Sequence, residues 1–526
     1  MLKHSLPLRR SLLISVSISL LAGCALVGPD YQRPKSEISA NWIEAADQRV
    51  STNPTDFRHW WKIFRDPVLD RLMDRAYREN LNLKIAATRI LEARANLGIA
   101  IAGLYPQTQQ ASGYYQYNHL SAQSQQASFG VNLNYQEVQV GLSAAWEIDF
   151  WGKYRRAIQS ADAAWRATVD DYDNALVSLT ADVANAYISI RTLEKRIALA
   201  RENVAVQEES FNIALARFQY GTTTQLDVEQ AATLLNNTRA SIPLLETQLQ
   251  QGRNALSLLL GLPPGPIQEI LQGTGGIPAP PPQVALGLPV ELLRRRPDVR
   301  SAEHKAVAQS AQIGVAKADL YPSFSLAGMF GFLSTDVGNS SLTDLFSGKT
   351  YQFGPSFQWN LFNYGRIKSN IRVQDARLQQ LLIAYQSTVI QAQQEVENAL
   401  VAFLKAQDRA FFLENSTGAA DRALTLALRQ YQAGARDFTT VISAQQALLS
   451  EQDSRAANLG ALASNLVGIY RALGGGWEIR EGRDIIPPEV REAMAQRTDW
   501  GNLLEPIAVA PPEPPPNPKG YRPPDW

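Results

Sequence analysis

Two parts of this chain spell nearly the same text at a nearly constant distance, so whatever one part folds into, the other must fold into as well. Gly98 to Pro106 reads GIAIAGLYP and Gly314 to Pro322 reads GVAKADLYP, an offset of 216 residues. Farther on, Trp146 and Gly152-Lys153 are echoed by Trp359 and Gly365-Arg366 at an offset of 213. The same 213 relates Asn185-Ala186 to Asn398-Ala399, Gly221 to Gly434, and Leu260-Gly261 to Leu473-Gly474. One offset held over more than 100 residues marks a duplicated unit. The Pro-rich segment 261–297 joins the two copies.

Each copy has the same internal order. A helical stretch over about 68–103 or 298–319 shows apolar spacing such as Leu81, Ile85, Ile90, Ala93 and Leu97. Pro106 and Pro322 end it, because proline cannot continue a helix. Period-two runs follow. Val138, Val140, Leu142, Ala144, Trp146, Ile148 and Phe150 alternate with Gln139, Gly141, Ser143, Ala145, Glu147 and Asp149. The mate of this run alternates Tyr351, Phe353, Pro355, Phe357, Trp359 and Leu361 with Gln352, Gly354, Ser356, Gln358 and Asn360. Residues 324–332 alternate too, and 107–117 do so weakly, with Tyr115 and Tyr117 outward. A soluble sheet with one wet face produces the same alternation. The run length, the aromatic apolar face and the small, uncharged polar face instead match strands that cross a bilayer around a wet lumen. Residues 118–136 and 334–350 read as exposed loops.

Four strands cannot close a barrel, and an open sheet edge in lipid leaves N–H and C=O groups unpaired. Membrane-spanning strands therefore require several chains per barrel. Two chains give eight strands and three give twelve, and backbone hydrogen bonding alone does not choose.

Residues 153–217 and 356–486 contain no proline and are rich in Ala, Gln, Leu and Arg, all good helix formers. A helix of that first length spans about 97 Å, which points to coiled-coil-like lateral packing. The small stripe Ala157, Ala161, Ala164, Thr168, Asp171 and Ala175 suits close helix approach. Gly221-Thr222-Thr223-Thr224 and Gly434-Ala435 break these helices and start returning ones over about 225–260 and 438–473, with cap chemistry at Thr224 and Asp437.

The single cysteine, Cys24, excludes disulfides within the chain and Cys-cluster metal sites. It follows Lys3, Arg9 and Arg10, an apolar run from Leu12 to Leu20, and Leu21-Ala22-Gly23. That is the grammar of a secretory signal peptide, too short for a permanent membrane anchor. Leu-Ala-Gly-Cys also resembles the lipobox of bacterial lipoproteins. The resemblance implies cleavage before Cys24, a diacylglycerol thioether on its sulfur and an N-acyl chain on its amine. Ala25, where a retained lipoprotein carries Asp, favours the outer membrane by the same resemblance. With 50 basic and 50 acidic residues, the charge balance speaks against nucleic acid as a partner.

An exported lipoprotein with two copies of helix, Leu-Tyr-Pro, hairpin, long helix, Gly turn and helix resembles the TolC-like outer-membrane efflux lipoproteins, the NodT-type outer-membrane factors of tripartite pumps. Val27-Gly28-Pro29-Asp30-Tyr31, Trp60-Trp61 with Phe64 and Asp66-Pro67, and Arg294-Arg295-Arg296-Pro297-Asp298-Val299 carry the resemblance further. It implies a mixed fold: a homotrimer with four strands per chain and twelve in all in a transmembrane β-barrel, above a long-helix periplasmic α-barrel. On this reading 1–23 is a signal peptide and 24–67 a lipidated and equatorial segment. A first repeat spans 68–260 with a hairpin at 106–150, and 261–297 is a connector. A second repeat spans 298–473 with a hairpin at 322–361, and 474–526 is an equatorial segment with a Pro-rich tail.

The resemblance further implies passive conduction of small solutes out of a Gram-negative cell, with a periplasmic membrane-fusion adaptor and an inner-membrane transporter of the RND type as partners. The adaptor-docking tips are then Tyr220-Gly221-Thr222, a near match to the family's Val-Gly-Thr turn, and Ala433-Gly434-Ala435, which departs at both flanks. Asp227, Arg436 and Asp437 are the constriction candidates, since Ser443 stands where relatives often carry an Asp. A protein-secretion duct and a structural or adhesive surface lipoprotein are the alternatives. No cofactor beyond the lipid on Cys24 and no metal is expected. The sequence carries no Gly-x-Ser-x-Gly or His-Glu-x-x-His, and Gly348-Lys349-Thr350 lacks the first glycine of a P-loop at Thr343.

Overall fold

A computed structural model describes residues 26–505, apart from 36, 52, 54–55, 124, 126–128, 131, 274, 288, 290–294 and 337–341. The leader, Cys24, Arg294 and the Pro-rich tail from Pro506 lie outside the described residues.

The duplicated text folds into duplicated elements without drift. Helix α1 (Pro67–Glu79) precedes α2 (Leu81–Ala102), strands β2 (Thr108–His119) and β3 (Asn134–Ile148), α3 (Lys153–Gln219) and α4 (Gln225–Leu259). The second copy runs α5 (Pro297–Ala318), β5 (Ser323–Thr335), β6 (Lys349–Gln358), α6 (Arg366–Gln432) and α7 (Phe438–Ala472). A two-residue strand pair, β1 (Val50–Ser51) with β4 (Val284–Ala285), and α8 (Pro488–Ala495) belong to the belt described below. The pairs α3/α6 and α4/α7 match at both ends at the 213 offset, with 67 and 35 residues per helix. Each 67-residue helix is about 100 Å long.

Helix contacts order the wall. Along the half nearer the strands, α2 packs on α3, and α5 packs between α3 and α6. Along the half nearer the turns, α4 replaces α2 and α7 replaces α5. The long helices therefore run the whole height, and the shorter ones stack end to end beside them. The expected single helix over 68–103 is divided at Asn80, whose backbone is extended. Its carboxamide oxygen caps Leu83 N at 2.9 Å and its Nδ2 donates to Leu259 O at 2.9 Å. One side chain thus starts α2 and closes α4.

Strands β2, β3, β5 and β6 form one antiparallel sheet in chain order. The loops are shorter than expected, because strand pairing extends to His119–Asn134 and Glu137–Thr335, and residues 342–347 form a 3-10 helix. The stripe from Ala157 to Ala175 is also corrected. Its members are partly or fully exposed, and α3 packs within the chain through Ile158, Ala163, Ala167, Asp170, Asp173, Leu176 and Val177 instead.

The main core lies at mid-height, where residues 42–73, 262–286 and 466–494 wrap α3 and α6. Trp60 stacks on Tyr470 at 5.4 Å and 15°, and burial pushes the Tyr470 hydroxyl up to about 12. A Cβ on Gly475 would stand 3.2 Å from Phe57 Cβ and from Trp60, so the Gly474-Gly475-Gly476 run admits the tryptophan edge. A second core of Ala214, Val228, Ala231, Leu234, Leu424, Tyr431, Phe438 and Val441 closes the far end, drawn from all four lower helices.

Candidate functional site

Strand register turns the alternation into two chemically opposite faces. One face aligns Ala111, Leu142, Phe330 and Tyr351, and also Val140 with Phe332, Ile148 with Phe324 and Phe357, and Trp146 with Leu326 and Pro355. The other aligns Ser112 with Gly141 and Gly331, Tyr114 with Gln139, Ser143 with Met329 and Gln352, and Ser325 with Ser356. On the apolar face Leu142, Phe330, Tyr351, Phe353 and Phe357 are exposed in the single chain. At the join between copies, Gly141 faces Gly331, and a Cβ on Gly331 would lie 2.6 Å from Val140 O. Only glycine fits that crossing of β3 and β5. The outer strands β2 and β6 each pair on one side only, so the sheet ends in two open edges.

The base of the sheet is ringed by aromatics. Trp146 and Trp359, equivalent in the two copies, donate their indole N–H to Leu104 O and Leu320 O at 3.1 and 3.0 Å. The Leu-Tyr-Pro and Trp landmarks recur together because they are hydrogen-bonded to each other. Trp151 stacks on Tyr321 at 4.5 Å, and Phe362 and Tyr364 are almost wholly exposed. Amphipathic rings at this level suit a membrane–water boundary. Leu26 packs on Gly152, and Val27 N donates to Trp151 O at 3.2 Å. Arg156 donates to Val27 O at 3.1 Å and to Asp30 at 2.9 Å. Gly28, at φ +100, would collide with Gly314 if it carried a Cβ. The Val-Gly-Pro-Asp-Tyr motif is thus a strap that ties the start of α3 in the first copy to α5 in the second at the foot of the sheet.

At the far end the two turns share one backbone. Gly221 (φ +72) and Gly434 (φ +73) donate to Phe218 O and Tyr431 O at 2.9 and 3.0 Å, and the residues after them donate to Arg217 O and Gln430 O at 2.8 and 2.9 Å. This is the Schellman end of a helix, which needs the left-handed residue that glycine supplies. The turns differ in side chains. Tyr220 is 84% exposed where the second turn has Ala433, and the Thr222 hydroxyl donates to Arg217 O at 3.0 Å where Ala435 has none to offer.

The constriction candidates are not brought together within one chain. Asp227 is partly buried and accepts from the Thr223 hydroxyl. Arg436 is exposed. Asp437 accepts from Thr440 Oγ1 at 2.7 Å, a bond that holds its carboxyl below the usual range. The expected side-chain caps are also absent: Thr224 and Asp437 occupy the N-cap positions of α4 and α7 but make no capping bond to the helix backbone. Lys349 and Thr350 begin β6, an extended setting unlike the strand-to-helix loop of a phosphate cradle. Among the described residues no group of His, Cys, Asp and Glu could hold a metal ion, and no helix is long and apolar enough to cross a membrane.

Several polar residues at this end were missed by sequence reasoning. Arg196 pairs with Asp453 at 2.6 Å, Asn203 Nδ2 donates to Gln452 at 2.7 Å, and Gln445 Nε2 donates to Ser210 at 2.7 Å. All three join α3 to α7 across the boundary between copies. Their signal was a mismatch: at the 213 offset Gln445, Gln452 and Asp453 stand opposite Ala232, Arg239 and Ala240.

The family described as outer membrane efflux protein matches residues 72–262 and 288–475. The chain is 31% identical over 471 residues to the pyoverdine export outer membrane protein OpmQ of Pseudomonas aeruginosa, covering 88% of this chain and 97% of that one. It is 30% identical to the toluene efflux pump outer membrane protein TtgF of Pseudomonas putida, covering 88% and 97%. Among solved structures, the outer-membrane channel OprN superposes with a TM-score of 0.78 at 30% identity, over 86% of this chain and all of that one.

Proposed function

The chain belongs to the outer membrane efflux protein family, and from that premise we propose that it is the exit duct of a tripartite efflux system, carrying small solutes passively from a periplasmic adaptor and an inner-membrane pump to the exterior. It resides in the outer membrane and extends into the periplasm. The observation that carries the reading is the four-stranded sheet with an aromatic outer face, a polar inner face and two unpaired edges. An even number of antiparallel strands lets β6 of one chain pair with β2 of the next without breaking the alternation. Eight strands enclose a bore that side chains just fill, whereas twelve leave room for solute. The duct is therefore a homotrimer with a twelve-stranded barrel. The exposed apolar residues of α6 (Ile383, Ile390, Phe411, Phe412) pack against the exposed flank of α2 and α4 (Ile85, Ile99, Leu244, Leu258) of the neighbour.

Cys24 carries the lipid. Leu26 is fixed beside Trp151 at the foot of the sheet, and two residues reach no more than about 7 Å farther, which holds the acyl chains at the inner leaflet. The turns around Gly221 and Gly434 meet the adaptor, and the ring they form is the constriction, with Asp227, Arg436 and Asp437 contributed from three chains.

Reconstitution of the full lipoprotein into planar bilayers tests this. Discrete conductance steps from a particle of three chains are expected, and a Cys24→Ser variant with a working signal peptide should conduct equally. A non-conducting particle would mean a structural surface lipoprotein, and passage only of unfolded polypeptide would mean a secretion duct.

A further inference from the structure

The wall just below the sheet is finished differently in the two copies. The three cations that open α3 each have a carboxylate: Lys153 pairs with Asp319 at 3.0 Å, Arg155 with Asp149 at 3.0 Å and Arg156 with Asp30 at 2.9 Å. The strap then covers the groove between α3 and α5, since a Cβ on Gly152 would stand 2.7 Å from Leu26 and one on Gly314 would stand 2.7 Å from Val27 O. The second copy keeps the glycines and loses the rest. A Cβ on Gly365 or Gly98, the mates of Gly152 and Gly314, would meet nothing within 4 Å. Arg155, Arg156 and Asp149 become Lys368, Ser369 and Phe362. Residues 345–374 hold no Asp or Glu, where the matching 132–161 hold Glu137, Glu147 and Asp149. Lys368 and Arg372 are exposed, and neither forms an ion pair among the described residues. Phe362, just above them, is 93% exposed.

Lys368 and Arg372 stand one turn apart on one side of α6. Glu397, about eight turns farther along, lies on that same side and accepts from Ile43 N at 2.9 Å. The N-terminal segment therefore runs along this side. It leads from the lipid on Cys24, whose acyl chains cannot enter a wet bore, so this side is the outer one. The neighbouring chain does not neutralise the pair. The duplication sets α6 against α2 of the neighbour as α3 is set against α5, and Glu92 is the only carboxylate of α2. Glu92 is two residues from Arg94, which reaches Leu503 O in the belt, and so points away from the outer side. The height is that of the membrane boundary, because Gly365 opens α6 as Gly152 opens α3, and Gly152 is where the strap holds the acyl chains at the inner leaflet.

We propose that Lys368 and Arg372, beside the open groove over Gly365 and Gly98 of the neighbouring chain, hold the phosphate of an anionic glycerophospholipid of the inner leaflet, three per trimer. Two cations without a carboxylate favour a lipid of net negative charge. Phe362 enters the acyl boundary next to them, as amphipathic interface residues do. At each seam between chains the lipid takes the place that the strap takes within a chain. This rests on the duct reading and adds the lipid class that the outer wall of the duct binds.

The test is native mass spectrometry of the full-length lipoprotein trimer, delipidated in neutral detergent and titrated with phosphatidylglycerol or phosphatidylcholine of the same acyl chains. Retention of up to three phosphatidylglycerol molecules per trimer is expected, about ten-fold above phosphatidylcholine. Equal retention of the two lipids overturns the proposal, and this wild-type comparison stands whatever the variants do. Lys368→Gln with Arg372→Gln should abolish the preference, while Lys405→Gln with Arg422→Gln, an equal loss of exposed charge lower on α6, keeps it. An undiminished preference in the first pair, or an equal loss in the second, overturns the proposal. Millimolar inorganic phosphate should leave the lipid bound; displacement would mark a site for free anions and overturn it too. Conductance of the same preparations in neutral planar bilayers separates the two readings. A trimer that conducts without preferring the anionic lipid fails this proposal alone, and one that prefers it but never conducts fails the duct reading alone.

Discussion

Helices α4 and α7 are copies of one ancestral element, equal in length and matched residue for residue at the 213 offset, yet they live in different surroundings. Helix α7 lies between α6 and α3 and buries residues on both sides, from Phe438 and Val441 to Gln445, Asn458 and Gly460. Helix α4 packs along α3 and leaves its other flank open, with Leu244 and Leu258 exposed. Polar chemistry tracks that difference. Gln445 and Asp453 of α7 answer partners on α3, while their mates on α4 are alanines; Arg239 of α4 forms only an exposed pair with Glu208. Pro243 is tolerated in α4, where α7 has Ala456. Duplication copied the local structure exactly where backbone propensity decides it. Divergence fell on the contacts that each copy makes with something outside itself.

The largest test of that contrast lies on the long helices. Asp173 of α3 is fully buried and accepts from Arg300 at 2.8 Å and from Arg480 at 3.0 Å, joining α3 to α5 and to the belt. Burial pushes its carboxyl up while Arg480 and Arg300 pull it down. Beside it, Asp170 holds Arg300 and His304. The mate of Asp173 on α6 is Gln386, which is exposed. Asp173→Ala strands the buried Arg480 guanidinium and leaves Arg300 to Asp170 alone, and should cost about 3–5 kcal/mol. Gln386→Ala should stay within about 0.5 kcal/mol. Denaturant unfolding of the two variants in detergent reads the difference, and equal losses would show that the buried charges are dispensable to the asymmetry.

Much of this was legible beforehand for one physical reason: helix and strand periodicity are local, and the text is written twice. The strand faces at Val138–Ile148 and Tyr351–Phe357, both Gly turns and the lengths of the returning helices follow from local pattern alone. What escaped were properties of packing. Asn80 reads as an ordinary residue inside a helical pattern until its carboxamide is seen to close α4. The alanines from Ala157 to Ala175 read as a packing stripe, but α3 is covered within the chain on a neighbouring face. Arg217 was invisible because its partner is a main-chain carbonyl 214 positions away, and carbonyls have no signature in sequence.

The turns give the next contrast. Both have the same hydrogen-bonded backbone, so a partner that reads only backbone shape would not distinguish them. Tyr220, projecting from the first turn, gives that turn a large exposed aromatic that Ala433 cannot match. Removing it by Tyr220→Ala should weaken adaptor binding by about 1–2 kcal/mol, roughly ten-fold in Kd. Ala433→Gly should leave the affinity within about two-fold by the same scale. Surface plasmon resonance with the purified adaptor measures both, and equal effects would show that the two turns dock alike.

The smallest contrast is a single hydroxyl. Thr222 Oγ1 donates to Arg217 O, the same carbonyl that accepts from Thr222 N, so the last turn of α3 is held twice where the last turn of α6 is held once. A hydrogen bond this exposed is worth about 0.5 kcal/mol at the low end of the usual range, or roughly a two-fold change in local opening. Thr222→Ala should therefore speed amide exchange around Gly221 about two-fold and bring the first turn level with the second. Ala435→Thr should slow exchange around Gly434 by a similar factor, because the backbone of the two turns matches and Gln430 O lies where Arg217 O lies in the first. Exchange read by mass spectrometry on the intact trimer decides between two accounts. If the two substitutions exchange the behaviour of the turns, their difference is local and resides in one hydroxyl. If the first turn stays slower after Thr222→Ala, the difference comes from the α3 end itself, where Arg217 is anchored on Tyr431.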